Sequence, residues 1–270
     1  MSLFPTSAPH AHAPDSVPRI MGLVLLAAAP ATLYGFFLFG WPALNLLLVT
    51  VVACLLCEAV CLRLAWHAVR PFLMDGSALL TGVLLALSLP PWAPWWIGAV
   101  GAFFAIVVGK QVFGGIGQNI FNPAMLARVA LLVSFPVEMT LWLEPHPLFS
   151  GHAPGFLEGL VITFGGIPDI DAVSGATILG RIRTELGMAR ELGQILPGHY
   201  QAGVAALGWT GGSLGETADL LVLLGGLWLL WRRVFTWHVP VAMLATVLVL
   251  AGGFNWLNPE RFAGPAVHLL

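Results

Sequence analysis

Apolar residues along this chain gather into long unbroken runs separated by short polar breaks. Residues 20–39 form one run without a charge, and residues 43–62 form a second. A helix rises about 1.5 Å per residue, so about 20 apolar residues cover the roughly 30 Å hydrocarbon core of a bilayer. Both runs therefore predict membrane-spanning helices. Residues 77–89 make a shorter run, opened by Asp75-Gly76 and closed by Pro90-Pro91-Trp92-Ala93-Pro94. That length and those breakers predict a half-helix or short buried span. Runs at 95–109, 121–135, 218–231 and 239–257 complete the set. Trp95 and Trp96 are placed as an aromatic belt at one end of the fourth run, with Lys110 placed to snorkel at the other.

The pattern predicts an all-α polytopic membrane protein of about seven segments. Its parts are a tail at 1–19, an N-terminal membrane bundle at 20–136, a polar outer segment at 137–216 and further membrane segments at 217–270. Composition agrees: 58% of residues are hydrophobic and 9% charged, against about a quarter charged in soluble domains. The net charge of −2 and the scattered basic residues give no footprint for nucleic acid. The tail has no basic residue before Arg19, so it lacks the charged start of a cleavable signal.

Charge also sets the expected orientation. If all seven segments cross, Arg19, Arg63, Arg70, Lys110, Arg232 and Arg233 share one side. The positive-inside rule makes that side cytoplasmic. The amino terminus is then inside and residues 137–216 outside, which is the periplasm in a diderm bacterium.

Two polar strings carry candidate chemistry. The first is Asp171-Ala172-Val173-Ser174-Gly175-Ala176-Thr177. Small residues leave the Thr177 hydroxyl little covered, as a hydroxyl must be to act as a nucleophile inside an enzyme that modifies it. The same string also reads as a turn with Ser174 or Thr177 capping a following helix. The second string runs from Lys110 to Arg128 and contains Gly114, Gly115, Gly117, Asn119 and Asn122-Pro123. Its glycines break the helix, and the next helix start could hold an anion or polar ring edge. Asn122 and Pro123 also suit the cap and first position of that helix. Arg128, inside the fifth span, either neutralises a bound group or snorkels to the headgroups.

Other groups have plainer readings. Cys54, Cys57 and Cys61 fall on one helical stripe, which suits packing better than a cluster needing four ligands. Glu58 is either a proton or cation carrier or a carboxylate paired with Arg63 or reaching the interface. His146, His152 and His199 lack metal-ligand spacing. No metal site and no catalytic residue is expected.

The D-x-x-S-G-A-T string resembles the sequence at which a flavin transferase joins FMN to threonine in membrane subunits of Rnf-type and Na+-translocating NADH:quinone reductase-type complexes. The string G-G-I-G-Q-N-x-F-N-P-A-M-x-A-R, from Gly114 to Arg128, closely resembles the same family. So do Asp75 to Gly82 with Leu89-Pro90-Pro91, Ser134 to Thr140, Trp228 to Trp231 and Trp237 to Pro240. The likeness is to the RnfD branch of the family rather than to its NqrB counterpart in the quinone reductase, which carries a longer amino-terminal region.

The resemblance implies a urea-transporter-like fold of two inverted repeats, of which this sequence holds the first and part of the second. It implies a bacterial inner-membrane location and FMN attached covalently at Thr177. Asp171, Ser174, Gly175 and Ala176 would then form the recognition loop, and the Gly114 to Arg128 run leaves room for a second, non-covalent flavin. Implied partners are the other components of the Rnf complex including a periplasmic flavoprotein, the flavin transferase and membrane lipid, with electron flow coupled to Na+ or H+ translocation. Family members continue past the point where this sequence stops, so it reads as truncated relative to them. A small-solute transporter and an architectural subunit without redox function are the alternatives.

Overall fold

The computed structural model describes residues 16–151, 153–166, 178–188, 192, 203, 208–215 and 219–269. Among them the regular structure is helical, with no strand. Helix α1, Val17–Leu64, has 48 residues. A straight helix of that size would reach about 72 Å, over twice the hydrocarbon thickness. It does not run straight, because Gly40 has φ 71° and ψ −157°, and Pro42 follows. Glycine tolerates that backbone and proline lacks the N–H to continue the ladder.

The chain reverses at this break. Met21 lies against Gly76, where a built Cβ would be 3.4 Å from the Met21 Cβ. Glu58 reaches the neighbouring Ser77 through a shared Lys110 ammonium. Residues 21 and 58 are thus level. Phe39 lies at the far end, where its carbonyl accepts a 2.9 Å hydrogen bond from Trp92 Nε1. The runs at 20–39 and 43–62 are accordingly the two limbs of a hairpin.

The short helix α2, Val69–Leu73, leads from the hairpin to α3, Ser77–Ser88, which has 12 residues. At about 18 Å, α3 is too short to cross alone. The chain returns through α4, Trp95–Ala102, which passes into a π-helix at Phe103–Val108 and a 3₁₀ turn at Gln111–Phe113. Helix α5, Pro123–Ser134, and the short α6, Pro136–Thr140, close this side. One core draws Leu46 and Cys54 from α1, Leu85 from α3, Ile97 from α4, Ile106 from the π-helix and Leu131 from α5. Trp96 turns into this core, edge-on to Phe135 at 5.0 Å between centroids. Only Trp95 keeps the outward setting expected of both tryptophans, at 41% exposed.

Helix α7, Phe156–Gly165, lies within the segment read as polar from the sequence. It docks on the hairpin turn. The Phe156 ring meets Trp41 edge-on at 5.2 Å, and a Cβ on Gly159 would stand 2.7 Å from that of Trp41. Just before it, Leu148 N–H donates to the Phe37 carbonyl at 2.8 Å. Helix α8, Ile178–Gly187, shares a small cluster with α11, Pro265–Leu269, through Ile182 and Val267.

Helix α9, Asp219–Trp231, runs antiparallel to the first limb of α1. Leu214 meets Gly35 and Gly225 meets Ala27, so chain number rises along one as it falls along the other. Helix α10, His238–Leu257, has no buried residue. It joins Val17–Leu64 and Trp95–Phe113 as the stretches among the described residues long and apolar enough to cross a membrane.

Close approach depends on small residues, since helices in lipid associate through packing rather than by escaping water. A Cβ on Gly82 would stand 2.9 Å from the Val51 Cα, a backbone atom that cannot swing aside. A Cβ on Gly226 meets nothing within 4 Å. Gly82→Ala is therefore expected to destabilise the bundle by about 1–3 kcal/mol. Gly226→Ala should be neutral or slightly stabilising. Thermal unfolding of the two variants in detergent compares them, and equal melting temperatures would refute the close packing of α1 on α3.

Candidate functional site

The polar groups inside the bundle converge at the open end of the α1 hairpin. Gly76 enters α3 in the left-handed region at φ 79°. Asp75 Oδ1 then accepts from the Ser77 N–H at 2.7 Å and the Ser77 hydroxyl at 2.5 Å. A side-chain acceptor here satisfies a donor that the first helical turn leaves open. With its proton committed to Asp75, the Ser77 oxygen is an acceptor, and Lys110 Nζ donates to it at 2.7 Å.

Lys110 completes the cluster on Glu58. Its ammonium stands 2.7 Å from both carboxylate oxygens, and Gln111 Nε2 donates to Oε1 at 3.1 Å. Glu58 is 2% exposed and Lys110 3%. These contacts correct two expectations. Lys110 does not snorkel out to the headgroups, and Glu58 pairs with it rather than with Arg63 or the interface. A buried carboxylate is costly without a counter-charge, so the nearest cation that can reach inward wins over the one that can reach water.

The π-helix explains how Lys110 turns inward. From α4 onward the buried positions come in pairs every four residues: Ile97 and Gly98, Gly101 and Ala102, Ala105 and Ile106, Gly109 and Lys110. A regular helix repeats every 3.6 residues, so a strict four-residue repeat would drift off the inner face within three turns. The wider π turn, seen in the 2.8 Å bond from the Gly109 N–H to the Phe104 carbonyl, absorbs that drift.

Beyond Lys110 the glycine string forms a compact loop. Gly114, Gly115 and Gly117 have φ of 106°, 95° and 83°, a region that side chains disfavour. The N–H groups of Gly114 and Gly115 donate to the carbonyls of Gln111 and Lys110 at 3.0 and 3.1 Å. Asn119 Nδ2 donates to the Phe121 carbonyl at 2.8 Å. Asn122 caps α5, its Oδ1 accepting from Ala124 and Met125 N–H at 3.0 and 3.4 Å, with Pro123 at the first position. This capping matches the sequence reading. Arg128 lies half-buried on α5.

Asp171, Ser174, Gly175, Ala176 and Thr177 lie outside the described residues, as do His152 and His199; α8 begins at Ile178, directly after the string. His146 lies against Trp92 with ring centroids 5.8 Å apart. Cys54 is buried in the core and Cys57 packs against it, the plainer of the readings for these thiols. Among the described residues no three His, Cys, Asp or Glu side chains are placed to hold a metal.

Removing one partner of the buried pair should be far worse than removing both. Lys110→Met leaves an uncompensated carboxylate and is expected to cost about 3–5 kcal/mol. Adding Glu58→Gln removes the orphaned charge and should recover most of that loss. Melting temperatures of the single and double variants in detergent measure this, and simple additivity would refute the pairing.

The chain matches the NQR2, RnfD, RnfE family over residues 5–270. It is 57% identical over 264 residues to the D subunit of the ion-translocating oxidoreductase complex of Halorhodospira halophila, covering 98% of this chain and 74% of that one. It is 55% identical over 255 residues to the corresponding protein of Stutzerimonas stutzeri, covering 94% and 72% of the two chains. With that of Rhodobacter capsulatus the identity is 48% over 265 residues, covering 98% and 74%. The Glu58–Lys110 bundle and its capped glycine loop fall within the family match. The chain therefore belongs to the NQR2, RnfD, RnfE family, as a membrane subunit of an ion-translocating oxidoreductase complex.

Proposed function

We propose that this chain is the flavin-bearing membrane subunit of its complex, holding FMN through a phosphoester on Thr177 and passing electrons in a process coupled to Na+ or H+ translocation. The observation that carries this reading is the Asp171 to Thr177 string, which ends at the residue before α8 in a chain of this family. A phosphate joined there meets the N-terminal end of a helix, where its negative charge is favoured. Thr177 supplies the attacking hydroxyl and afterwards the tether. Asp171, Ser174, Gly175 and Ala176 present it to the transferase. When bound, the flavin supplies one- and two-electron chemistry, tuned by nearby charge and hydrogen bonds.

The proposed orientation puts the amino terminus in the cytoplasm and Thr177 in the periplasm, facing a periplasmic flavoprotein partner. It is supported by charge and by packing. Arg19, Arg232 and Arg233 line one cavity, at the hairpin end where Met21 and Glu58 also lie. Leu148 and α7 dock at the opposite end, on Phe37 and Trp41. The half-length α3 and the broken fourth element suit one repeat of a urea-transporter-like fold. Gly114, Gly115, Gly117, Asn119, Asn122 and Arg128 remain the proposed walls of a second flavin cavity.

Covalent attachment is tested by fluorescence of the denatured protein in a gel after co-expression with a flavin transferase. Wild type should glow and Thr177→Ala should be dark, because denaturation strips any flavin not covalently held. A dark wild type beside a fluorescent full-length relative from the same cells would overturn the assignment.

A further inference from the structure

Helix register brings three arginines from two elements to one place. Helix α9 crosses the first limb of α1 where a Cβ on Gly225 would lie 2.5 Å from the Ala27 carbonyl oxygen. The helices are antiparallel, and the same number of residues separates Arg19 from Ala27 as separates Gly225 from Arg233. Arg19 and Arg233 therefore stand level at the end of the pair. Between them is a cavity of about 380 Å³, lined by Arg19, Arg232 and Arg233 together with Ile20, Leu23 and Trp231.

The backbone at Arg233 is unusual for that residue. Helix α9 ends in a Schellman arrangement: the Val234 N–H donates to the Leu229 carbonyl at 3.0 Å and the Arg233 N–H to the Leu230 carbonyl at 2.9 Å. The left-handed residue of this motif is commonly glycine, yet here it is Arg233, with φ 56°. Arg232 is set by its neighbour Trp228, whose ring centroid lies 5.6 Å from the guanidinium carbon, within cation–π range. Two arginines at a helix C-terminus offset its dipole. That role does not account for the cavity between this helix end and the start of α1.

We propose that this cavity binds the phosphate of an anionic phospholipid. Guanidinium groups present planar donor forks that match phosphate oxygens. Basic pockets between membrane helices near the headgroups are suited to anionic lipid. The apolar lining of half-buried Ile20 and Leu23 with exposed Trp231 argues for a lipid over a free anion, because an inorganic phosphate has no use for it. Leu26 and Leu227, both exposed, continue the apolar surface along the two helices in the direction an acyl chain would lie. The inference does not depend on the flavin at Thr177.

The test uses the full chain, delipidated in mild detergent and titrated separately with dioleoylphosphatidylglycerol, dioleoylphosphatidylcholine and inorganic phosphate, with bound adducts counted by native mass spectrometry. Wild type should retain phosphatidylglycerol in clear preference to phosphatidylcholine. Each basic residue near an anionic headgroup contributes about fivefold, so Arg232→Gln/Arg233→Gln should weaken retention by at least about tenfold. Arg63→Gln/Arg70→Gln removes the same charge elsewhere and should leave retention unchanged. If the first double variant fails to fold, Arg19→Gln, on the other helix, should itself lower retention about fivefold. Equal retention of the two lipids, equal loss in the two double variants, no loss in Arg19→Gln, or displacement of the lipid by millimolar phosphate would each overturn the proposal.

Discussion

A membrane bundle must answer its buried charges from within, and here one ammonium group meets both oxygens of the buried Glu58 and the Ser77 hydroxyl together. Lys110 joins three elements at a point: the second limb of α1 through Glu58, the start of α3 through Ser77, and its own broken helix. Glu58 and Lys110 are 2% and 3% exposed, so these bonds are made within the protein rather than to water. The position of Lys110 therefore fixes how far the fourth element travels before it breaks. It also fixes where the glycine loop begins. The Asp75–Ser77–Lys110–Glu58 chain satisfies each member in turn, which is the condition under which a buried network rigidifies rather than weakens a core.

Small residues supply the other half of the constraint. Lys110 can reach Glu58 only if the fourth element lies close to α1, and Gly98 allows this by leaving room for Leu46 and Thr50. Gly101 does the same toward Leu85 and Leu131. The four-residue spacing of buried positions keeps these small residues on the inner face, and the π-helix maintains that spacing to Gly109 and Lys110. Packing and electrostatics are thus coupled along one element, so a change of register would disturb both together.

The sequence made some of this legible and hid the rest for physical reasons. Gly40 and Pro42 between two apolar runs mark the hairpin turn, and Asp75-Gly76 with Pro90-Pro91 bracket α3, because backbone breakers act locally. Asn122-Pro123 announces the start of α5 for the same reason. The fate of Lys110 was not legible. A lysine at the end of an apolar run can snorkel or pair, and its partner lies 52 residues away in sequence. The signal that could have found it is the repeat of small residues Gly98, Gly101, Ala102, Ala105 and Gly109 leading to it, which marks an inner face. Helix α7 was missed because ten residues make no membrane-length run and Gly155 and Gly166 bound it like a loop.

The geometry also bears on what Glu58 can do. A carboxylate inside a membrane invites a role as proton or cation carrier, but both oxygens of Glu58 are held by Lys110 and one also by Gln111. Another cation could take the site only by displacing that ammonium. For Lys110 to leave, its ammonium would have to give up both Glu58 oxygens and the Ser77 hydroxyl at once. In the structure as it stands, the pair is a neutral clamp at the start of the loop, and any carrier role for Glu58 requires Lys110 to leave it first.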